Sequence, residues 1–178
     1  MKSYFVNKNC HYSNFIPRIS YVRNCNTIIS SGTFIFTDSC RYDIEEKSCV
    51  NKLFGFSLGL FNVHKHSYRF GWTYNNEKDV IDIWVYYYNK GKLYKNKIYE
   101  AELNSPISLE INTYKDTEKK LITNYFIVGD KIFSVTVLND IKYWFLLTLG
   151  LYFGGKTRAP HKIEVKKYDF LEKNTKKM

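Results

Sequence analysis

Arginine, carboxylate and aromatic side chains alternate with apolar ones within residues 54–88. Residues 66–74 and 81–88 both have the alternation of a β-strand. Arg69 lies on one face of the first strand. One face of the second strand carries Asp82, Trp84, Tyr86 and Tyr88. The polar residues 75–79 between the two runs predict an antiparallel hairpin. If the register aligns them, one face offers rings for stacking, a carboxylate for hydroxyl groups and a guanidinium for an anion. We expect the apolar Ile81 side to face the core and Trp84 to be exposed, and the opposite assignment stays open.

A second group of candidate ligand-binding residues lies outside the main hairpin face. It comprises His66 at the start of the hairpin and, near the end of the chain, Lys156, Arg158 and His161. Gly154 to Arg158 resembles a phosphate-binding loop, but the spacing differs and Pro160 excludes the helix that such a loop requires. These residues are therefore predicted to be the basic rim of a glycine-rich turn. We predict no cofactor and no metal site, since no carboxylate near the His64–His66 pair completes a ligand set.

Composition predicts one all-β domain. The chain has 178 residues, of which 16 are Tyr and 13 are Phe, against two Ala and no Gln. Aromatic residues favour strands, and this length is enough for a single core. The net charge of +10 comes mostly from Lys, with five Arg among 27 basic residues. This indicates a solvated basic surface, while binding to an anionic partner stays open.

The four cysteines lie within the first 49 residues: Cys10, Cys25, Cys40 and Cys49. Their spacing contains no CxxC pair, and the chain starts without the apolar run of a signal peptide. We therefore expect free thiols, a cytoplasmic or virion location and no membrane segment. Two disulfides are the alternative if the protein is exported.

Short alternating segments joined by turns predict about ten strands and no long helix. Residues 1–25 are expected to be an irregular arm, residues 26–168 a β-sandwich, and residues 169–178 a basic tail. The apolar run at residues 53–61 predicts a central strand in which two glycines leave room for another backbone or a large ring. The run at residues 144–153 predicts a buried strand. The fold class predicted is an antiparallel two-sheet sandwich.

Three segments resemble the concanavalin-like jelly roll of lectins, glucanases and polysaccharide lyases. They are Gly-Phe-Ser-Leu-Gly-Leu at 55–60, Tyr-Arg-Phe-Gly-Trp at 68–72, and Leu-Tyr-Phe-Gly-Gly-Lys-Thr-Arg-Ala-Pro-His at 151–161. The chain also resembles uncharacterised proteins of Bacteroidetes-like bacteria and their phages. The resemblance implies a concave sheet that often holds sugars, and it implies no activity. The Gln-Ile-His and Tyr-Phe-Lys motifs of alginate-lyase jelly rolls do not occur in the sequence.

The leading interpretation is a non-catalytic, phage-encoded binding or structural protein that recognises a glycan or another anionic ligand. A virion component that contacts other protein chains is an alternative, as is a phage protein that binds nucleic acid or a nucleotide. A polysaccharide lyase is a further alternative, because Arg69 can neutralise a uronate carboxylate near a histidine or tyrosine.

Overall fold

The computed structural model describes residues 1–22, 25–43, 49–61, 63–138 and 143–168. The described residues form strands and one short 3-10 helix, Asp38–Cys40. The strands are β1 Lys2–Val6, β2 Ile19–Tyr21, β3 Thr27–Phe36, β4 Asn51–Leu58, β5 His66–Asn75, β6 Val80–Asn89, β7 Lys92–Glu102, β8 Pro106–Asp116, β9 Leu121–Val128, β10 Lys131–Leu138, β11 Phe145–Leu149 and β12 Ile163–Tyr168.

The strands form two six-stranded antiparallel sheets. The back sheet has the order β1-β12-β3-β8-β9-β10, and the front sheet has the order β2-β11-β4-β5-β6-β7. The chain crosses repeatedly from one sheet to the other, as in a jelly roll. The predicted fold class, an antiparallel two-sheet sandwich, is confirmed.

The core lies between the sheets and is rich in aromatic rings. Phe54 on β4 stacks on Phe34 of the back sheet, with ring centroids 4.7 Å apart, and on Phe70 of β5. Trp72 is fully buried, as are Ile81 and Ile83 on the apolar side of the predicted hairpin. The alternation in β5 and β6 therefore points one face into the core and leaves the other face on the outside of the front sheet.

The prediction that a glycine in β4 leaves room for a neighbouring backbone is confirmed at Gly55. Its φ is +150°, a conformation that side chains rarely adopt, and a Cβ there would meet the main chain of Tyr68 and Arg69. The close approach fixes β4 against β5 at the level of Arg69. The second glycine, Gly59, lies after the end of the strand with a φ of +84°.

Two segments differ from the sequence-based expectation. The first 25 residues are not simply irregular, because β1 pairs with β12 and β2 pairs with β11, so this segment adds an edge strand to each sheet. These strands are only five and three residues long, too short for alternation to stand out. The predicted buried strand at 144–153 is shorter and half exposed, with Trp144 50% exposed. It lies near the edge of the sheet, beside the short β2.

Other expectations fall outside the described residues or concern membranes. The predicted basic tail, 169–178, lies outside the described residues. Among the residues that are described, no helix is long and apolar enough to span a bilayer.

Candidate functional site

The hairpin register brings five of the predicted site residues onto one face. Arg69 pairs with Tyr86, and the adjacent pairs are Ser67 with Tyr88, Gly71 with Trp84 and Thr73 with Asp82. In antiparallel pairs, directly opposed side chains lie on the same face of the sheet. Arg69, Asp82, Trp84, Tyr86 and Tyr88 therefore form one continuous row on the outer face of the front sheet.

Arg69 is a buried cation that pairs with no carboxylate among the described residues. The residue is 8% exposed, and its Nη2 donates to the main-chain carbonyl of Gly150. Its buried Nε has no acceptor within the described part of the chain. Burial lowers the pKa of the guanidinium to about 10, so Arg69 stays charged at neutral pH. Burying an unpaired charge is costly, which makes the position a strong candidate for binding an anion.

Lys52 adds a second cation to the same face. A β-bulge between Lys52 and Phe54 sets Lys52 opposite Gly71, on the Arg69 side of the sheet. Its ammonium donates to the Gly154 carbonyl at 2.9 Å and lies 5.2 Å from the Tyr86 ring centroid and 5.1 Å from that of Tyr152. Burial, followed by repulsion from Arg69, lowers the pKa of Lys52 to about 8.

Arg69 and Lys52 lie in a groove with a volume of about 760 Å³, here called the Arg69 groove. One wall is the amino-terminal segment around Tyr12, and another is Tyr152. The centroid of the Tyr152 ring lies 5.1 Å from that of Tyr12 and 5.4 Å from that of His11. Phe61, Val63, His64 and Lys65 close a third side. The ionisable side chains that line it include Lys52, Lys65, Arg69 and His64, and its lining within the described part of the chain contains no Asp or Glu. The groove is therefore cationic and aromatic.

Tyr86 and Tyr88 add hydroxyl groups to this groove. The two hydroxyl oxygens are 3.5 Å apart, and the Tyr88 ring packs edge-on against His64. Burial raises the pKa of Tyr86 well above its usual range. At neutral pH its hydroxyl is therefore protonated and suited to hydrogen bonding.

A smaller pocket of about 230 Å³, here called the Trp84 pocket, lies beside the groove. The indole Nε1 of Trp84 donates to the Thr73 hydroxyl at 2.9 Å, and Asp82 pairs with Lys97 at 2.7 Å. Gly154 lines this pocket and also accepts the hydrogen bond from Lys52. Asparagine side chains and carboxylates dominate its polar lining: Asp43, Asn51, Asn75, Asn76, Glu77 and Asp82. A cationic groove therefore lies beside a pocket lined by carboxylates and amides.

No family model matches the chain, and no curated protein matches it by sequence. Solved structures of similar shape exist at low sequence identity. An alginate lyase of polysaccharide lyase family 7 is 14% identical with a TM-score of 0.48, and the match covers 80% of this chain and 58% of the lyase. Peanut lectin with a nine-residue peptide is 13% identical with a TM-score of 0.43, and the match covers 92% and 93% of the two chains. The lectin UEA-II complexed with galactose is 12% identical with a TM-score of 0.44, and the match covers 91% and 82%.

Four other predicted site residues do not join this row. His66 is 7% exposed and lies on the core side of β5, one position out of phase with Ser67 and Arg69. The Nε2 of His161 contacts the carbonyl oxygen of Ser39 at 2.8 Å, so its ring is engaged with the turn of the 3-10 helix. Lys156 is exposed between Gly155 of the groove and Thr157 of the pocket, and Arg158 is exposed beyond it. Both residues adjoin lining residues in the sequence, so Lys156 and Arg158 stay candidate rim residues.

Sequence reasoning missed Lys52, Tyr152 and Tyr12. Simple alternation puts Lys52 on the core side with Phe54 and Phe56, and only the bulge reverses it. Tyr152 reaches the groove because the ladder between β11 and β4 is interrupted at Gly150 and resumes with two 2.9 Å main-chain bonds between Tyr152 and Lys52. The signal that was available is Gly150, a glycine inside an apolar run, which often marks such an irregularity.

The cysteines and the remaining ionisable residues do not assemble a second centre. All four cysteines are free thiols, with Cys10 and Cys25 exposed and Cys40 buried. Burial raises the pKa of the Cys40 thiol well above its usual range, which makes it unreactive in the folded protein. Within the described ranges, no cluster of three or more His, Cys, Asp or Glu side chains is placed to hold a metal ion.

Proposed function

We propose that this protein is a non-catalytic binding protein whose front sheet recognises a glycan carrying an acidic group. The observation that carries the proposal is Arg69, whose buried Nε finds no acceptor, and whose groove has no carboxylate in its lining, among the residues that the structure describes. A carboxylate or sulfate on the ligand would supply the missing acceptor. Hydrogen bonds between charged partners are also among the stronger ones in proteins.

The aromatic walls favour a sugar over a small inorganic anion. Tyr86 and Tyr152 present rings to Lys52, Tyr12 packs on Tyr152, and the groove volume of about 760 Å³ exceeds what a phosphate or sulfate needs. Carbon–hydrogen faces of pyranose rings pack on aromatic rings, while tyrosine hydroxyls bond to sugar hydroxyls. An acidic sugar residue in the groove would pack on the aromatic rings and pair with the cations.

The Trp84 pocket provides a second subsite for the next sugar of the same chain. Its volume of about 230 Å³ and its lining of asparagine, carboxylate and indole groups suit a neutral, hydroxyl-rich unit. Carboxylate and amide oxygens accept hydrogen bonds from sugar hydroxyls, and Trp84 offers a stacking surface. The two depressions together favour an oligosaccharide with an acidic unit next to a neutral one.

Two observations favour binding over catalysis in this proposal. The raised pKa of Tyr86 opposes its acting as a general base, and His66 lies on the core side of its strand. The phage origin that the sequence suggested is kept as part of the proposal.

Isothermal titration calorimetry with acidic oligosaccharides, both uronate and sulfated, tests the proposal. Arg69→Met removes the guanidinium while keeping much of the side-chain volume, and we expect affinity to fall roughly tenfold to 100-fold, the scale of a hydrogen bond to a charged group. The control is Lys119→Met, since Lys119 lies in the turn between β8 and β9 with its side chain 74% exposed. Equal affinities for the wild type, Arg69→Met and Lys119→Met would contradict the proposal, provided that thermal melts show both variants folded.

A further inference from the structure

The outer face of the back sheet differs in charge from the rest of the surface. Its outward positions on β3, β8, β9 and β10 include no Lys and no Arg, although the chain contains 27 basic residues. The charged groups at these positions are Glu110 and Asp116, and Glu110 accepts a hydrogen bond from Asn112 at 2.6 Å. Even Lys131, at the start of the edge strand β10, turns its ammonium onto the Tyr99 ring, 5.1 Å from the centroid.

The same face presents exposed apolar and aromatic side chains among short polar ones. Ile29 and Ile132 are each 63% exposed, and Tyr125 packs edge-on against Tyr114 with ring centroids 5.7 Å apart. Hydroxyl pairs cross the strands between Thr33 and Ser108 and between Thr123 and Thr136, at 3.1 and 3.0 Å. Exposed aromatic rings and a low content of charged side chains are features of the buried part of protein–protein interfaces.

We propose that this face, called the β3–β10 face, is the interface of a homodimer in which two back sheets stack. A two-fold interface sets the same surface of two copies together, so a surface on which cations predominate would repel its copy. For a chain of net charge +10, self-association is therefore favoured at a surface without Lys and Arg, which this face provides. An anionic partner would instead select for cations, which the face lacks.

The area of the face reaches the lower limit for a specific dimer. Four strands about 4.8 Å apart and eight residues long, with a rise of about 3.3 Å per residue, cover about 500 Å² in projection. Two copies therefore bury at least about 1,000 Å², the scale above which an interface is regarded as specific. The area without cations ends at β12, where Glu164 and Lys166 face outward, so a charged strand forms its rim.

Sedimentation velocity over a concentration series up to about 100 μM, in a buffer of about 0.15 M salt, tests the proposal. We expect a wild-type dimer. Ile29→Lys and Ile132→Lys should each raise the dimer dissociation constant at least about tenfold, because each buries a cation against its copy. The control, Ile16→Lys, changes a residue that is 80% exposed in the amino-terminal segment and should leave the dimer intact.

Two results would overturn the proposal. One is a wild-type protein that stays monomeric up to the highest concentration. The other is a dimer that both lysine variants form as well as the wild type does, which would point to the sheet edges instead. Both substitutions are at exposed positions, so circular dichroism should be unchanged. If they lower solubility, the double variant Ile29→Ser, Ile132→Ser measures the same loss without added charge.

Discussion

Raising the pH from 7 to 9 should weaken the binding of an acidic glycan because Lys52 loses its proton in this range. The pKa of Lys52 is lowered to about 8 by burial and by Arg69. The charged fraction of Lys52 in the free protein is therefore about 90% at pH 7 and about 10% at pH 9. If the anion binds only the ammonium form, the affinity falls about tenfold across the interval, or about 1.4 kcal/mol.

The direction follows from linkage. The bound anion favours charged Lys52, so binding raises the pKa of Lys52 and the complex takes up protons near pH 8. Binding is thus strongest below the free-state pKa and weakens as pH rises through it. Arg69, with a pKa lowered to about 10, remains mostly charged over the same interval.

Calorimetry at pH 7, 8 and 9, repeated in buffers of different ionisation enthalpy, measures both the affinity and the proton uptake. Lys52→Arg is the decisive variant, because its guanidinium stays charged and should make the affinity independent of pH. Lys119→Met should keep the wild-type dependence. A wild-type affinity that does not change between pH 7 and pH 9 would refute the reasoning, as would an equal dependence in Lys52→Arg.

Two further predictions concern tryptophan and cysteine. Trp84→Ala should weaken glycan binding by about 1–3 kcal/mol in calorimetry and have little effect on urea unfolding, because Trp84 is half-buried at the outer face. Trp72→Ala, in the core, should instead lower the free energy of unfolding by about 3–5 kcal/mol. An unfolded Trp84→Ala protein would contradict this assignment. Thiol titration of the folded protein should detect Cys10 and Cys25 rapidly and leave Cys40 unreacted, and unfolding should bring the count to four. A count of two or fewer in unfolded protein would indicate disulfides.

The row on the hairpin face was predictable from sequence because it depends only on local alternation. Residues 66–74 and 81–88 keep a strict period of two, and the loop between them sets the register that pairs Arg69 with Tyr86. The apolar character of Ile81, Ile83 and Val85 also identified the buried side correctly. The sandwich itself followed from many such segments together with a scarcity of helix formers.

The walls of the groove depend on long-range contacts that alternation does not encode. Lys52 changes face through a bulge, and Tyr152 is held by an isolated bridge after the interruption at Gly150. Tyr12 comes from a segment that pairs with residues about 140 positions later in the chain. The sequence analysis included His66 among the site residues, although the period of two already put it on the core side with Tyr68 and Phe70.

The most direct measurement of the central claim compares one oligouronate with its methyl ester, titrated into the wild-type protein under identical conditions. The two ligands share ring shape and hydroxyl pattern and differ in charge. Recognition of the acidic group by Arg69 and Lys52 predicts that the acid binds at least about tenfold more tightly, the scale of one charge-assisted hydrogen bond. It also predicts a shallow salt dependence, since only two groove cations engage the ligand and a nucleic-acid binder would respond far more steeply. Equal affinity for the acid and its ester, or tighter binding of the ester, would contradict the account.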